Sequence, residues 1–312
     1  MKIKTNPACL SFLFIFLFAN MGLSQQLGEQ KYVPSISIHP EYEREKGPLV
    51  LVDEAHHNFH TLKGRFAPFA TLLSTDGYLV KGLREKIKKS SFAEADVLVI
   101  ANALHQTNYK NWILPTPSAF TGEEVRIINN WVNQGGSLLL IADHMPFPGA
   151  ASDLAESFGF SFSNGYAFFK DRKRGPSDTF TPTDGLMECK IVNGRAEHEK
   201  ITKVTTFTGS AFQAPEGAQP VLVFKRDAFS HETARAGALA DAKKISIKGW
   251  CQGAIMDYGK GRIAVFGEAA MFTAQVVGPH KLPIGMNAPQ ASQNEQFILN
   301  LMHWLTKAQG YE

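Results

Sequence analysis

The chain contains four short apolar runs, each followed within two residues by a polar side chain. They cover residues 49–52, 97–101, 138–142 and 263–266. Four or five apolar residues in succession, without polar alternation, are typical of a strand that is buried on both faces. Such strands occur mainly in parallel sheets whose two faces are covered by helices. The runs therefore predict an α/β protein with a parallel sheet.

Helical patterns alternate with these runs. Apolar residues in segment 66–73 are spaced i, i+3, i+4 and i+7, which predicts a helix with one buried face. Capping boxes formed by Thr121 with Glu124 and by Ser292 with Glu295 predict where two further helices begin. Strands that alternate with helices indicate parallel βαβ units in an open sheet. Ligands of such sheets bind beyond the carboxyl ends of the strands, so the polar residues after the runs are expected to share one edge.

Residues 1–24 have the pattern of a secretory signal peptide. Lys2 and Lys4 precede an apolar segment at 8–19, and small residues follow it. That segment is shorter than the roughly 20 residues that a transmembrane helix needs. Cys9 precedes most of the apolar segment, whereas a lipidated cysteine would follow it, so we expect cleavage rather than lipidation. The mature protein is therefore expected to be secreted or periplasmic.

The rest of the chain is expected to form one domain behind a short leader. Residues 25–46 are polar and contain two prolines, which favours an extended leader. Residues 47–312 then form a single α/β domain. Within it, residues 160–260 have weaker strand and helix patterns. An insertion and an antiparallel extension of the sheet are both compatible with that region.

Charge and cysteine content narrow the class of protein. The 32 Lys and Arg residues are nearly balanced by 29 Asp and Glu residues, so no nucleic-acid partner is expected. After the signal peptide no apolar stretch is long enough to span a bilayer, so we expect no transmembrane anchor in the mature chain. Cys189 and Cys251 belong to no motif with CxxC or metal-ligand spacing. One disulfide and two buried thiols are both compatible with their positions.

The densest group of chemically active side chains directly follows the first run. It contains two carboxylates and three imidazoles: Asp53, Glu54, His56, His57 and His60. Imidazole with carboxylate can bind a divalent metal ion or transfer protons near neutral pH. The alternative is structural, with Asp53 capping the following turn and the histidines forming local hydrogen bonds. We treat the two carboxylates as candidate catalytic residues and the three histidines as candidate metal ligands.

A second group follows the third and fourth runs. Asp143 and His144 lie between a predicted strand end and a predicted helix N-terminus, where they can form an acid/base pair or ligate a metal ion. A helix-capping Asp143 and a surface His144 are the structural alternative. Glu268 leaves a buried strand, so it needs a partner, and a structural pair is as compatible with it as a site. These three complete the candidate catalytic residues, and His144 is also a candidate metal ligand.

Other polar residues have weaker claims. Asn102 and His105 follow the second run. Gln296, Asn300 and His303 fall on one face of the predicted last helix, where exposure of a polar face to solvent explains them. We rank them below the two groups above.

Segments 50–54, 123–141 and 261–268 resemble the class I glutamine amidotransferase-like superfamily. The resemblance implies a flavodoxin-like, three-layer α/β fold with a mostly parallel open sheet. It is strongest to exported members of unknown function that are not amidotransferases, and to extracellular domains associated with gliding-motility ABC components. True amidotransferases carry a nucleophilic cysteine where this chain has Asp143 and His144, and no His-x-Glu follows the last strand. The resemblance therefore implies where a site lies, and not glutaminase activity.

Two hypotheses follow for the function. In the first, the protein is a hydrolase-like enzyme that uses a His/carboxylate site, with or without a divalent metal ion. Asp53, His57 and His144 would hold the metal or share acid/base work, with Glu54 or Asp143 as the base. In the second, the protein is a non-catalytic domain of the cell envelope that binds a small molecule or glycan, or serves as a scaffold. Clustering of the histidine and carboxylate candidates in one pocket would favour the first hypothesis.

Overall fold

The computed structural model describes residues 26–36, 39–172 and 177–311, and the predicted signal peptide lies outside these ranges. The strands are, in chain order, β1 (Gln26–Gly28), β2 (Leu49–Asp53), β3 (Leu79–Leu83), β4 (Val97–Ala101), β5 (Ser137–Ile141), β6 (Ser161–Phe162), β7 (Gly165–Phe169), β8 (Asp178–Phe180), β9 (Val204–Thr206), β10 (Phe212–Gln213), β11 (Gln219–Val223), β12 (Ala228–Glu232), β13 (Lys243–Ser246), β14 (Cys251–Tyr258), β15 (Gly261–Phe266), β16 (Ala274–Val277) and β17 (Leu282–Gly285). The α-helices are α1 (Ala67–Thr75), α2 (Gly122–Asn133), α3 (Phe147–Glu156), α4 (Lys190–Asn193) and α5 (Asn294–Leu305). Within the described ranges, no helix combines the length and the apolar character that crossing a bilayer requires.

One large sheet organises the protein. Its strands follow the order β3-β2-β4-β5-β15-β14-β10-β6, with β11 also paired to β14. The first five run parallel and, counted along the chain, have the order 2-1-3-4-5. The other strands pair antiparallel beyond β15. The predicted α/β protein with a large, mostly parallel sheet is confirmed.

Hydrophobic side chains cover both faces of the parallel strands. Val50 and Val52 of β2 belong to one cluster with apolar residues of α1 and α5. Leu51, which points to the opposite face, belongs to a second cluster with residues of α2 and α3. Full burial of a Val or Leu side chain contributes about 1.5–3 kcal/mol relative to exposure. Burial on both faces explains why the runs contain no polar residue.

Much of the region 160–260 is antiparallel. The long strand β14 lies beside β15 and continues the main sheet, where β10 and β11 pair with it. Strands β13, β12 and β7 form a separate three-stranded sheet in that order. Of the two possibilities compatible with the sequence, an antiparallel extension therefore describes this part of the chain.

The two cysteines of this region are free thiols. Cys189 and Cys251 are both buried and are not bonded to each other, so the disulfide alternative does not hold. Burial raises the pKa of each thiol to about 11. Because the thiolate is the nucleophilic form, neither cysteine is suited to covalent catalysis at neutral pH.

One of the two predicted capping boxes is confirmed. Thr121 Oγ1 accepts from the Glu124 N–H at 3.2 Å, and Glu124 Oε2 accepts from the Thr121 N–H at 3.0 Å. The box predicted from Ser292 is wrong. Helix α5 begins at Asn294, and its N-cap residue, Gln293, makes no side-chain capping bond.

Glu295, the other half of that predicted box, binds the leader instead. Its carboxylate accepts hydrogen bonds from the Tyr32 hydroxyl, from the Ser35 N–H and hydroxyl at 2.9 and 2.7 Å, and from the Ile36 N–H at 3.1 Å. Burial, and then the hydrogen bond and charge of Glu295, raise the pKa of Tyr32, which keeps its hydroxyl protonated as a donor. Strand β1 also pairs with β16. The leader is therefore docked against the domain.

The polar face of the last helix is buried, contrary to the expectation of solvent exposure. Asn300 donates to the carbonyls of Ile191 and Glu199 at 2.9 and 2.7 Å. His303 Nε2 lies 2.7 Å from Asp76 Oδ2, and both side chains are buried. The expectation was wrong because the segment around α4 covers this face, and a helix periodicity carries no information about a cover that comes from elsewhere in the chain.

Replacing Glu295 by alanine should release the leader. The substitution removes the acceptor shared by Tyr32, Ser35 and Ile36, so we expect the free energy of unfolding to fall by about 1–3 kcal/mol. We also expect faster proteolysis within residues 26–46. Urea denaturation and limited proteolysis measure the two effects. Glu94→Ala, at an exposed carboxylate, is the matched control; an equal loss in both variants would contradict the anchoring role.

Candidate functional site at the carboxyl edge of the sheet

The polar residues that follow the apolar runs lie at one edge of the sheet. Because β2, β4, β5 and β15 run parallel, their carboxyl ends meet there. Asn102 donates its N–H to the Ile141 carbonyl at 2.9 Å, and its side-chain oxygen accepts from the Asp143 N–H at 2.9 Å. These bonds join the ends of β4 and β5. The side chains at the edge fall into two groups, one around His56 and one around His144.

The first group, the His56 cluster, consists of Asp53, His56, Asn58 and Glu124. His56 Nδ1 lies 2.9 Å from Asp53 Oδ2, and its Nε2 lies 3.1 Å from Glu124 Oε1. Asn58 donates to Asp53 Oδ2 at 3.0 Å. All four side chains are buried. The cluster ties the end of β2 to the first turn of α2.

The charges of the His56 cluster compensate each other. Burial alone would lower the pKa of His56, but the hydrogen bonds and charges of Asp53, and then of Glu124, outweigh it and raise that pKa. Burial alone would raise the pKa of Glu124, but hydrogen bonds from Thr121, followed by those from His56, lower it. Both ring nitrogens of His56 are occupied, so the imidazole has no free position for a metal or a substrate. This arrangement matches the structural alternative for Asp53 and His56.

Two further candidates of this segment lie outside the His56 cluster. Glu54 accepts from the Leu62 N–H at 2.7 Å and from Arg84 Nε at 2.9 Å, so its carboxylate holds the loop after β2. His57 is exposed, with its backbone at a φ of 47°. A non-glycine residue at such a φ is uncommon, and it turns the chain away from the strand direction. The two side chains therefore do not join His56 in one pocket.

His60 is enclosed by aromatic rings. The ring centroids of Phe59 and Phe66 lie 5.5 and 5.0 Å from its own. Burial, followed by the charges of Arg65 and His144, lowers the pKa of His60 to about 3, so this ring is neutral at physiological pH. The structure does not bring the four candidate metal ligands together. Across the described ranges, no three His, Cys, Asp or Glu side chains are gathered in a way that could hold a metal ion.

The second group, the His144 site, consists of Trp112, Asp143, His144, Tyr166 and Glu268. Asp143 and Glu268 are both buried, and Asp143 Oδ1 accepts from the His144 N–H at 2.6 Å. Burial first, and then the negative charge of Asp143, raise the pKa of Glu268 well above its usual range. Backbone hydrogen bonds oppose this shift without cancelling it. Two neighbouring carboxylates, one of which keeps its proton more readily, are a common arrangement of acid and base.

Glu268 also has a structural partner. Its two oxygens accept the N–H groups of Ala270 and Met271 at 2.8 and 2.7 Å, at the start of the 3₁₀ turn Ala270–Phe272. Of the two alternatives for Glu268, the structural one therefore accounts for its hydrogen bonds. Its carboxylate lies near that of Asp143 because the two residues follow adjacent strands, β15 and β5.

The ring of His144 is held in one orientation. Its Nδ1 lies 2.9 Å from the Met145 carbonyl oxygen, which can only accept, so Nδ1 carries the proton. The ring stacks on Tyr166 at 4.3 Å between centroids and 14° between planes. The rings of Trp112 and Phe147 lie 6.1 and 5.9 Å away. His144 is half-buried, and its Nε2 forms no hydrogen bond with any described residue.

Two residues of this site were not predicted from the sequence. Tyr166 comes from β7 and accepts the Gly237 N–H at 3.0 Å, while the Trp112 carbonyl accepts the Ala236 N–H at 2.9 Å. Neither aromatic residue belongs to a motif, so no sequence signal could have linked them to His144. A cleft of about 610 Å³ adjoins the site and is lined by the loop after β12, including Arg235, although His144 does not line it.

Comparison with known proteins supports the α/β fold. No protein-family model and no curated protein sequence matches this chain. Among solved structures, the N-terminal domain of mmIFT52 superposes with a TM-score of 0.58 at 14% identity, covering 82% of this chain and 97% of that domain. A ThuA-like protein from Parabacteroides merdae ATCC 43184 gives 0.45 at 13% identity, covering 84% and 90%. A protein described as belonging to a GMP synthase, from Thermoplasma acidophilum, gives 0.42 at 11% identity, covering 82% and 92%.

The His56 cluster should make stability depend on pH near neutrality. Because the folded pKa of His56 is raised, its contribution is fully present below its unfolded pKa of about 6.5 and is lost as the pH rises through the folded pKa. His56→Ala should flatten this dependence and lower the free energy of unfolding by about 3–5 kcal/mol, since two buried carboxylates lose their partner. Urea unfolding from about pH 6 to pH 9 measures both effects.

His198→Ala is the matched control for that experiment, because His198 is exposed. It should leave both the stability and its pH profile unchanged. A His56 variant that kept the stability and the pH profile of the parent would show that the cluster is not an ion-paired group.

Proposed function

We propose that the protein is an exported hydrolase whose general base is His144. The observation that carries the proposal is the orientation of the ring. Nδ1 donates to the Met145 carbonyl, which leaves the lone pair of Nε2 available. A general base needs such a lone pair within reach of the proton that it removes. No other imidazole of the segment 53–60 combines a held ring with a free nitrogen at this edge.

The surroundings of His144 suit this role. Stacking on Tyr166 limits rotation of the ring, so the lone pair points in one direction. The charge of Asp143 acts on Glu268 and on Tyr166, since it raises the pKa of both after the larger effect of burial. The same negative charge would stabilise the imidazolium that forms when His144 takes up a proton.

The reaction needs only water as co-substrate. A water molecule gives one proton to Nε2 of His144, and its oxygen attacks the electrophilic atom of the substrate. The bond to the leaving group breaks, and the imidazolium returns the proton to that group. The substrate class is a small molecule or glycan, for which the cleft beside Trp112 and Tyr166 offers room and aromatic rings offer stacking faces.

The finer assignment of the fold belongs to this proposal. The strand order 2-1-3-4-5 and the hydrophobic cores on both faces support a flavodoxin-like, three-layer arrangement. We place the chain in the class I glutamine amidotransferase-like superfamily, next to its exported members that lack the nucleophilic cysteine. Cleavage after the signal peptide would deliver the mature domain to the periplasm or the exterior.

A non-catalytic binding or scaffold domain is the second candidate. The specific observation in its favour is that most polar candidates at the edge are consumed by structural bonds. Glu54 holds a loop, Glu268 caps a 3₁₀ turn, and Asp53 and His56 pair with each other. In this case His144, Trp112 and Tyr166 would form a binding surface for a ligand that is not turned over.

Turnover of a panel of chromogenic esters, phosphoesters and glycosides by the purified protein separates the two candidates. His144→Gln should lower kcat on any substrate that is hydrolysed by about 10²- to 10⁴-fold, because the base is lost. Its melting temperature should match that of the parent, since the Nδ1 bond is made at a half-buried position. His198→Gln, which changes the same residue type at an exposed position, should leave kcat unchanged.

Hydrolysis that survives His144→Gln would falsify the assignment of the base. No hydrolysis across the panel, together with saturable glycan binding that Trp112→Ala abolishes, would instead establish the binding domain. Circular dichroism of each variant checks that the fold is retained.

A further inference from the structure

A groove separate from the His144 site lies between α2 and the segment that connects β3 to β4. Its volume is about 670 Å³, within the range of roughly 300–1,000 Å³ that is typical of small-ligand sites. Residues 86–89 form one wall, and residues 121–130 form the other. Strands β3 and β4 lie on opposite sides of β2, so the groove lies where the order of the parallel strands reverses. Open α/β sheets commonly bind ligands at such a reversal.

The groove is basic. Lys86, Lys88, Lys89 and Arg126 line it, together with one exposed carboxylate, that of Glu123. In the part of the chain that the structure describes, none of the three lysines forms an ion pair. An excess of positive charge in a concave surface attracts anions and raises their local concentration.

Buried contacts hold the two walls of the groove at a fixed spacing. Glu124 lines the groove, but its carboxylate is occupied by His56, by Thr121 and by the Ile87 N–H at 3.2 Å. It thereby joins the lysine-bearing segment to α2. Ile87 is buried beneath the lysines, and the half-buried Ile127 adds an apolar surface. The cations are therefore placed before any ligand arrives, which lowers the cost of binding.

We propose that this groove binds a small ligand that carries two or more phosphate groups. Three of its four cations are lysines, which bind phosphate as point charges, whereas carboxylates are recognised best by the bidentate fork of arginine. Cations on opposite walls can contact separate phosphates, and the apolar surface can contact the rest of the ligand. His144 takes no part, so this proposal is independent of the proposed hydrolysis.

Isothermal titration calorimetry with inorganic pyrophosphate and with inorganic phosphate tests the proposal. The unmodified protein should bind pyrophosphate at least about tenfold more tightly than phosphate, and the affinity should fall as salt is added. The double variant Lys88→Gln/Lys89→Gln should weaken pyrophosphate binding by about tenfold. Thermal unfolding of each variant confirms that it is folded, which is expected because the substituted side chains are exposed.

Lys243→Gln/Lys244→Gln is the matched control, since it removes two adjacent exposed lysines from β13 and changes the net charge equally. It should leave pyrophosphate binding unchanged. The proposal is overturned if the unmodified protein binds neither anion, if both anions bind equally well, or if the control pair weakens binding as much as the groove pair. Loss of hydrolysis in a His144 variant would not alter any of these results.

Discussion

A buried imidazole between two carboxylates is the constraint on which this edge of the protein depends. His56 reaches Asp53 at the end of β2 and Glu124 in the first turn of α2. Removing either contact would leave a charge buried without its partner, which costs far more than the pair contributes on its own. The loop after β2 and the start of α2 are therefore held in one arrangement, and both the His144 site and the basic groove are built beside it.

This constraint separates residues that hold the edge from residues that remain open to a ligand. Asp53, Glu54 and Glu268 look catalytic by position, yet each is bonded to backbone N–H groups or to a fixed side chain. His144 differs because only one of its nitrogens is bonded. The lysines of the groove differ because their ammonium groups face an open cleft. The two proposed sites use the groups that the structural network does not consume.

The sequence predicted best those features that depend on neighbouring residues. The apolar runs became parallel strands because burial on both faces excludes polar side chains, and Thr121 capped α2 because its partner Glu124 lies only three residues away. The same local pattern at Ser292 failed, because Glu295 is recruited by the distant leader. Local spacing shows that a carboxylate can cap a helix, but not that a more favourable partner approaches it from elsewhere.

The sequence by itself determined the parallel sheet, the shared edge and the presence there of Asp143 and His144, since all three follow from strand direction and burial. Only the tertiary structure decided the use of each group: that His56 is structural, that Tyr166 and Trp112 stand beside His144, and that the lysines at 86–89 face α2. The physical reason is that hydrogen bonds and charges act through space over a few ångströms. Which groups come within that distance is set by packing between segments far apart in the chain.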